Sequence, residues 1–209
     1  YYTELLNGTV PVSGWIEVPL AEACDLAVVD EMLIDLMIDT DFSNFLMDKC
    51  MITAKAFAKA QIEAGCDIMG IGDAICSQID KETYDLLVKE RHRELISYIH
   101  HCGASVKLHI CGNTTHLLES LRELKADIID IDWQVDLDHA REILGDDIVL
   151  GGNINPVIVQ DKSEDEVYKL SRDLVESHKN EKYILAAGCE ITVLTPPENL
   201  MAMRRASLL

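Results

Sequence analysis

The amino-acid sequence predicts an α/β fold, specifically a (β/α)8 barrel that is incomplete and contains about six βα units. Short β-rich runs alternate with longer segments of helical period, which is typical of a parallel sheet with helical crossovers. Polar or reactive residues recur just after several of these β-rich runs. No Gly-x-Gly-x-x-Gly motif follows a predicted strand, which argues against an open doubly wound sheet that binds a dinucleotide. We therefore prefer the barrel, whose functional residues gather at the carboxyl ends of its strands.

Six runs of β-branched and other apolar residues predict the strands. They are Val12–Glu17, Asp67–Ile71, Ser105–Ile110, Ile128–Asp132, Ile148–Gly151 and Tyr183–Ala186. Side chains that follow these runs would meet at one end of a barrel. The sequence therefore predicts a functional site at that end.

Seven segments of helical period alternate with the strands. They are Leu20–Ile38, which we expect to be broken, Phe42–Ala64, Lys81–His101, Thr115–Leu124, Leu137–Leu144, Glu164–Ser177 and Pro197–Ala206. Asp80 and Ser163 stand where helix N-caps are expected, and Glu166 completes a capping-box spacing with Ser163. The expected left-handed C-caps are Gly65, Gly103 and Gly145. No linker or repeat divides the chain, so residues 1–209 are expected to form a single domain.

Composition narrows the possible functions. The chain has 37 acidic and 18 basic side chains in 209 residues, a formal net charge of −19. This charge and the lack of clustered Lys and Arg argue against a nucleic-acid partner. No apolar run approaches a membrane span, and no signal peptide opens the sequence. Seven scattered cysteines, an odd number, predict a reducing compartment and hence a cytoplasmic protein.

One strand offers two metal-ligating side chains at its carboxyl end. His109 and Cys111 point the same way because side chains alternate across a strand. Cys189 follows Gly188 after the last strand and would add a second thiolate. A Cys2His set with an open fourth position is typical of catalytic zinc. The alternative is a buried thiol beside a hydrogen-bonded histidine. We reject the adjacent pair His100-His101 as a metal site, because neighbouring side chains diverge on a helix.

Five segments together resemble the uroporphyrinogen decarboxylase superfamily. They are His109–Asn113, Ile131–Asp136, Gly151–Pro156, Gly188-Cys189 and Thr195–Asn199. The His-x-Cys and later Cys most resemble its zinc-dependent methylcobamide:coenzyme M methyltransferase branch. The resemblance implies the barrel fold, zinc bound by His109, Cys111 and Cys189, and a methyl donor that is a corrinoid carried by a partner protein. It also implies a small thiol, such as coenzyme M, as the methyl acceptor.

Four further residues are candidates at the strand ends. Asp73 could bind substrate or orient a ligand, or could act as a helix N-cap. Glu190 could fill the open zinc position when substrate is absent. Asp132 could orient His109 as a hydrogen-bond acceptor, or could bond to a neighbouring loop. Asn153 would shape the turn before Pro156 and could contact substrate or cofactor.

Two other functions remain open from the sequence. One is a metal-free porphyrinogen decarboxylase, and the other is a non-catalytic barrel that binds a corrinoid or tetrapyrrole and keeps a vestigial zinc site. A (β/α)8 barrel typically needs about 250 residues. The resemblance matches the later part of a longer family, so we expect a C-terminal portion that lacks the first units.

Overall fold

A six-stranded parallel sheet forms the centre of the computed structural model, which describes residues 2–6 and 8–208. The strands are β1 (Ser13–Glu17), β2 (Ile68–Gly72), β3 (Ser105–His109), β4 (Ile128–Ile131), β5 (Val149–Ile154) and β6 (Tyr183–Ala187). Each strand pairs in parallel with the next one along the chain, in the order β1 to β6. A doubly wound sheet would reverse this order at a switch point, whereas a (β/α)8 barrel keeps it. The predicted α/β class and all six strands are therefore confirmed, with strand ends shifted by up to three residues.

Eleven α-helical segments are found within the described residues. They are α1 (Tyr2–Leu6), α2 (Leu20–Ala27), α3 (Val29–Ile38), α4 (Thr40–Glu63), α5 (Lys81–Thr83), α6 (Lys89–His101), α7 (Leu118–Arg122), α8 (Leu137–Leu144), α9 (Pro156–Asp161), α10 (Glu164–Ser177) and α11 (Pro197–Ser207). A π-helical turn at Tyr84–Val88 joins α5 to α6, and single 3-10 turns lie at Ala74–Gln78 and Thr115–Leu117. None of the helices in this part of the chain has both the length and the apolar character needed to cross a membrane.

Local signals account for most helix ends. The predicted break in the first long helical segment falls at Val28, whose φ of 71° separates α2 from α3. Asp80 accepts the Thr83 N–H at 2.8 Å. Ser163 and Glu166 form the full capping box. The three expected C-cap glycines all have positive φ. The sequence patterns missed α1, α9 and the turn at Ala74–Gln78, which are too short to show a helical period.

The two faces of the sheet differ in chemistry. Residues on the outer face are buried against the helices and form the core; they include Ile16, Met69, Ile71, Val106, Leu108, Ile129 and Leu150. Residues at the alternate positions form what we call the inner face. The register aligns Trp15 with Gly70 and Lys107, and it aligns Glu17 with Gly72, His109 and Asp130, which follow one another across β1 to β4. The sheet thus directs a polar set of side chains away from the apolar core.

Candidate metal centre

A cavity of about 600 Å³ opens over the inner face at the carboxyl ends of the strands. Side chains from β1, β3, β4 and the segment after β6 line it, together with the end of β2. This position agrees with the predicted functional end of the sheet. It is also where functional sites of parallel α/β barrels lie.

Three of the lining residues form a cluster that we call the pocket trio: His109, Cys111 and Cys189. His109 Nε2 lies 2.9 Å from Cys111 Sγ, and Cys111 Sγ lies 3.3 Å from Cys189 Sγ. One ligand atom from each residue lies within 4.8 Å of the others. All three residues are half-buried, so their ligand atoms are within reach of the cavity. The structure therefore brings together the three residues that the sequence suggested as metal ligands.

The backbone holds the two cysteines in place through glycines. Gly112, directly after Cys111, has a φ of 88°, and its N–H donates to Asp132 Oδ2 at 2.9 Å. Gly188 precedes Cys189 and packs directly on the backbone of the loop after β4. A Cβ at Gly188 would lie 2.3 Å from the backbone nitrogen of Trp133. The close approach of two chain segments, rather than a left-handed φ, explains why glycine precedes Cys189.

Burial shifts the pKa values of His109 and Cys111. It lowers the pKa of His109, although the nearby Asp130 and Asp132 carboxylates act in the opposite direction. Burial also raises the pKa of the Cys111 thiol to about 12, and Cys189 adds to this effect. The imidazole is therefore neutral at physiological pH, which is the form that binds metals. The Cys111 thiol needs a nearby positive charge to ionise.

The trio fits a zinc ion by its donor set and by an unsatisfied atom. Two thiols and one imidazole are soft and borderline ligands, which suit zinc, and three ligands leave a fourth position for substrate. His109 Nδ1 is buried and has no hydrogen-bond partner. Asp130 Oδ2 lies 3.9 Å from Nδ1 and 2.8 Å from Lys107 Nζ. Zinc-binding histidines usually donate their second ring nitrogen to a carboxylate, and Asp130 is placed for that contact.

Asp132 and Asn153 brace loops at the rim of the cavity. Asp132 Oδ2 accepts the Gly112 N–H, and Asp132 Oδ1 accepts the Gln134 N–H at 3.0 Å. Asn153 donates to the Val135 carbonyl at 2.8 Å. The carboxylate near His109 Nδ1 is that of Asp130, which lies on β4 two residues before Asp132. Asp132 instead fixes the turn that carries Cys111.

Asp73 belongs to a second group, which we call the buried cluster: Asp73, Cys76, Tyr84 and His92. All four residues are fully buried. The Asp73 carboxylate accepts the N–H of Ala21 at 2.8 Å and that of Leu20 at 3.3 Å, at the start of α2. These bonds make it a helix-capping group across the chain.

The other hydrogen bonds of the buried cluster run through His92. Its Nε2 lies 2.9 Å from Asp73 Oδ2, and its Nδ1 lies 2.9 Å from the Tyr84 hydroxyl. Asp73 reaches the wall of the cavity, but its oxygens are engaged in these bonds. The role of His92 could not be predicted, because a single histidine on a helical segment carries no recognisable motif.

Glu190 and two residues of β1 complete the wall of the cavity. Glu190 is exposed and lines it beside Cys189. Trp15 and Glu17 line it from β1, and the Trp15 ring centroid lies 6.4 Å from that of His109. Sequence reasoning missed Trp15 and Glu17. The available signal was their period-two spacing on an edge strand opposite two glycines of β2.

Comparisons with known proteins identify the family. The model of the uroporphyrinogen decarboxylase (URO-D) family matches residues 2–207. The chain belongs to the uroporphyrinogen decarboxylase family. It is 27% identical to the uroporphyrinogen decarboxylase of Geobacter metallireducens, over 95% of this chain and 60% of that protein. It is 28% identical to a methylcobamide:CoM methyltransferase of Methanosarcina barkeri, over 96% of this chain and 58% of that protein.

A solved structure supports the same family fold. The methyltransferase from Methanosarcina mazei superposes with a TM-score of 0.89, at 24% identity, over 98% of this chain and 60% of that one. The chain thus spans about 60% of the length of these three proteins. Relatives of both reaction types match at nearly equal identity. The family and fold are therefore shown, and the choice of reaction depends on the site.

Proposed function

We propose that this chain belongs to a zinc-dependent methyltransferase that moves a methyl group from a methylated corrinoid protein to a small thiol such as coenzyme M. The observation that carries the proposal is the convergence of one imidazole and two thiols on a cavity at the strand ends. Similarity to the methylcobamide:CoM methyltransferase of Methanosarcina barkeri supports it.

His109, Cys111 and Cys189 would hold the metal. Zinc at this position would accept a substrate sulfur and lower the pKa of that thiol, so that a nucleophilic thiolate is available at neutral pH. Asp130 Oδ2 lies 3.9 Å from His109 Nδ1 and would orient the ring by accepting that N–H when the metal is bound. Asp132 and Gly112 keep the Cys111 turn fixed through their hydrogen bond. These contacts set the position of the acceptor sulfur in the cavity.

The transfer itself is a single displacement. The acceptor sulfur attacks the methyl carbon of the donor, and a sulfur–carbon bond forms. The cobalt–carbon bond of the corrinoid breaks, both of its electrons stay on cobalt, and the thiol proton passes to solvent. The mouth of the cavity must therefore admit a flat macrocycle held by a partner protein. We place this reaction in the cytoplasm, where the seven free cysteines would stay reduced.

The remaining candidates take supporting parts in this proposal. Glu190 is exposed beside Cys189 and would occupy the fourth zinc position while no thiol is bound. Asn153 holds the loop after β4 through the Val135 carbonyl and so shapes the surface that the corrinoid approaches. Asp73 acts on the cavity by fixing the start of α2 rather than through a free oxygen.

A porphyrinogen decarboxylase is the second candidate, because the Geobacter metallireducens relative of that name is as similar as the methyltransferase. The two candidates differ in their need for zinc. We expect the intact protein to bind zinc and to demethylate methylcobalamin when a small thiol is added. Cys111→Ala and Cys189→Ala should lower that rate at least about a hundredfold.

The assay follows the corrinoid spectrum with and without added zinc, and Cys102→Ala is the matched control. Cys102 is a half-buried free cysteine outside the cavity. Decarboxylation of a porphyrinogen by the metal-free protein, without methyl transfer to any thiol, would replace the proposal with the second candidate.

A further inference from the structure

We propose that the acceptor thiol carries a positively charged amino group, and that Trp15 and Glu17 bind this group. The inference rests on the proposed methyltransferase function and replaces coenzyme M, the example given there, with an amino thiol as the acceptor. Three observations support it: the charges that line the cavity, the orientation of Trp15, and the distance between this residue and the pocket trio.

The wall of the cavity carries more negative than positive groups. Its carboxylates are Glu17, Asp73, Asp130 and Glu190, and Lys107 is the lysine or arginine among the lining residues that the structure describes. Lys107 Nζ is already paired with Asp130 at 2.8 Å. In the described part of the chain, neither Glu17 nor Glu190 forms an ion pair with a cationic side chain. A zinc ion held by two thiolates adds no net charge. The part of the wall that this chain contributes thus favours a cationic ligand group over an anionic one.

Trp15 packs closely over β2 because the residues beneath its ring, Gly70 and Gly72, have no side chains. A Cβ at Gly70 would lie 2.1 Å from the indole ring, and a Cβ at Gly72 would lie 2.8 Å from it. The two glycines therefore make room for the ring across the sheet. The indole is 41% exposed, and the cavity meets it above the sheet. An open tryptophan face is the best aromatic partner for an ammonium group.

Glu17 is fixed beside this ring. Trp15 Nε1 donates to Glu17 Oε1 at 2.7 Å, so the carboxylate stays at the edge of the indole. Its other oxygen, Oε2, would lie 2.6 Å from a Cβ at Gly72, which places the carboxylate over β2 as well. An ammonium group can therefore contact the indole and donate a hydrogen bond to the carboxylate at one place.

The spacing suits a short amino thiol. The Trp15 and His109 ring centroids are 6.4 Å apart, so the two binding groups are neighbours on the inner face. A thiol that places its sulfur at the trio would direct a group two or three carbons away toward Trp15. A sulfonate in that position would instead meet the unpaired Glu17 carboxylate and be repelled. The site therefore discriminates between acceptors of equal length by their charge.

The test uses three acceptors with the same two-carbon spacer: 2-aminoethanethiol, 2-mercaptoethanol and 2-mercaptoethanesulfonate, which is coenzyme M. With the intact zinc-loaded protein and methylcobalamin, we expect kcat/KM for the amine to exceed that for the sulfonate by at least about tenfold. Glu17→Gln should reduce this preference at least about fivefold, chiefly through the KM of the amine. Glu119→Gln, an exposed change on α7, should leave the preference unchanged.

A binding measurement separates this inference from turnover. In Trp133→Phe, Trp15 is the single remaining tryptophan, so its fluorescence reports on the proposed contact. Titration of this variant without metal with 2-(methylthio)ethylamine should shift the emission, and Glu17→Gln in the same background should weaken the binding. The matched neutral thioether, 2-(methylthio)ethanol, should bind more weakly.

Each outcome has a distinct meaning. Equal or better use of the sulfonate, or a preference that Glu17→Gln does not change, overturns the amino-thiol inference and leaves the methyltransferase in place. Failure of every thiol to accept a methyl group overturns the methyltransferase itself. In that case, amine binding at Trp15 still decides whether the site recognises a cation.

Discussion

The pocket trio and the buried cluster use similar residues for different ends. Each combines histidine with cysteine. In each, three ligand atoms lie within 4.8 Å of one another: those of the trio, and those of Asp73, Cys76 and His92 in the buried cluster. The trio is half-buried at a cavity, and His109 keeps a buried ring nitrogen without a partner. In the buried cluster, His92 has a partner at both ring nitrogens, and Asp73 also accepts two backbone N–H groups.

The difference shows that residue type alone does not mark a metal site. Buried polar groups are normally satisfied by hydrogen bonds, and the buried cluster follows this rule. A metal there would have to displace bonds that already stabilise the fold. At the trio, His109 Nδ1 has no partner, and all three residues line a cavity. Unsatisfied donors and access therefore distinguish the candidate ligand set from the structural network.

Removal of one cysteine from each cluster should give the largest contrast. Cys189→Ala should reduce bound zinc from one equivalent to none, because two remaining ligands hold zinc poorly. Cys76→Ala, the matched change in the buried cluster, should keep the full equivalent. Metal analysis after dialysis measures both values, with circular dichroism to verify folding. Zinc loss in folded Cys76→Ala would erase the distinction between the clusters.

The free energy of unfolding should depend on the buried cluster, whereas zinc binding should not. Asp73→Ala leaves the N–H groups of Leu20 and Ala21 and one His92 nitrogen without their acceptor. We expect a loss of about 3 kcal/mol in the free energy of unfolding, since buried groups lose their partners. Urea denaturation measures it, and Asp80→Ala, at an exposed N-cap, should cost clearly less. A folded Asp73→Ala protein of unchanged stability that lost methyl transfer would instead support a direct role of Asp73 in the reaction.

The smallest expected effect sharpens the role of the unpaired nitrogen of His109. Asp130→Asn removes the carboxylate charge from the Nδ1 side, and we expect zinc affinity to fall about tenfold. Competition with a chromophoric chelator gives the dissociation constant. Asp146→Asn, in an exposed loop, is the control and should not change it. Equal affinities in the two variants would mean that Asp130 serves only to hold Lys107.

The sequence was sufficient for the fold and for the trio because both depend on local rules. Alternating periods predicted all six strands, and the two-residue spacing of His109 and Cys111 predicted that they share a face. The position of Cys189 near these two residues could be predicted because the carboxyl ends of parallel strands meet at one edge of the sheet. In each case a short-range pattern, together with one general rule of parallel sheets, was enough.

The rest of the site depends on register, which no local pattern reveals. Asp130 lies on β4 and Asp132 directly follows it, and the sequence alone does not distinguish the two carboxylates. Strand pairing places Asp130 beside His109 on the inner face. Trp15 and Glu17 pack over β2 because they pair with Gly70 and Gly72, which are more than fifty residues away in the chain. His92 meets Asp73 only through the packing of α6 against the sheet.

The glycine pair beneath Trp15 has a consequence for how this protein could acquire new acceptors. The proposed metal ligands lie at the end of β3, just after it and after β6, whereas the proposed acceptor-binding residues lie on β1, an outer strand of the described sheet. Exchanges at Trp15 or Glu17 would therefore alter selectivity without touching a ligand. The reaction and the choice of acceptor would then depend on different strands, so related enzymes could diverge in acceptor through a few changes on one strand.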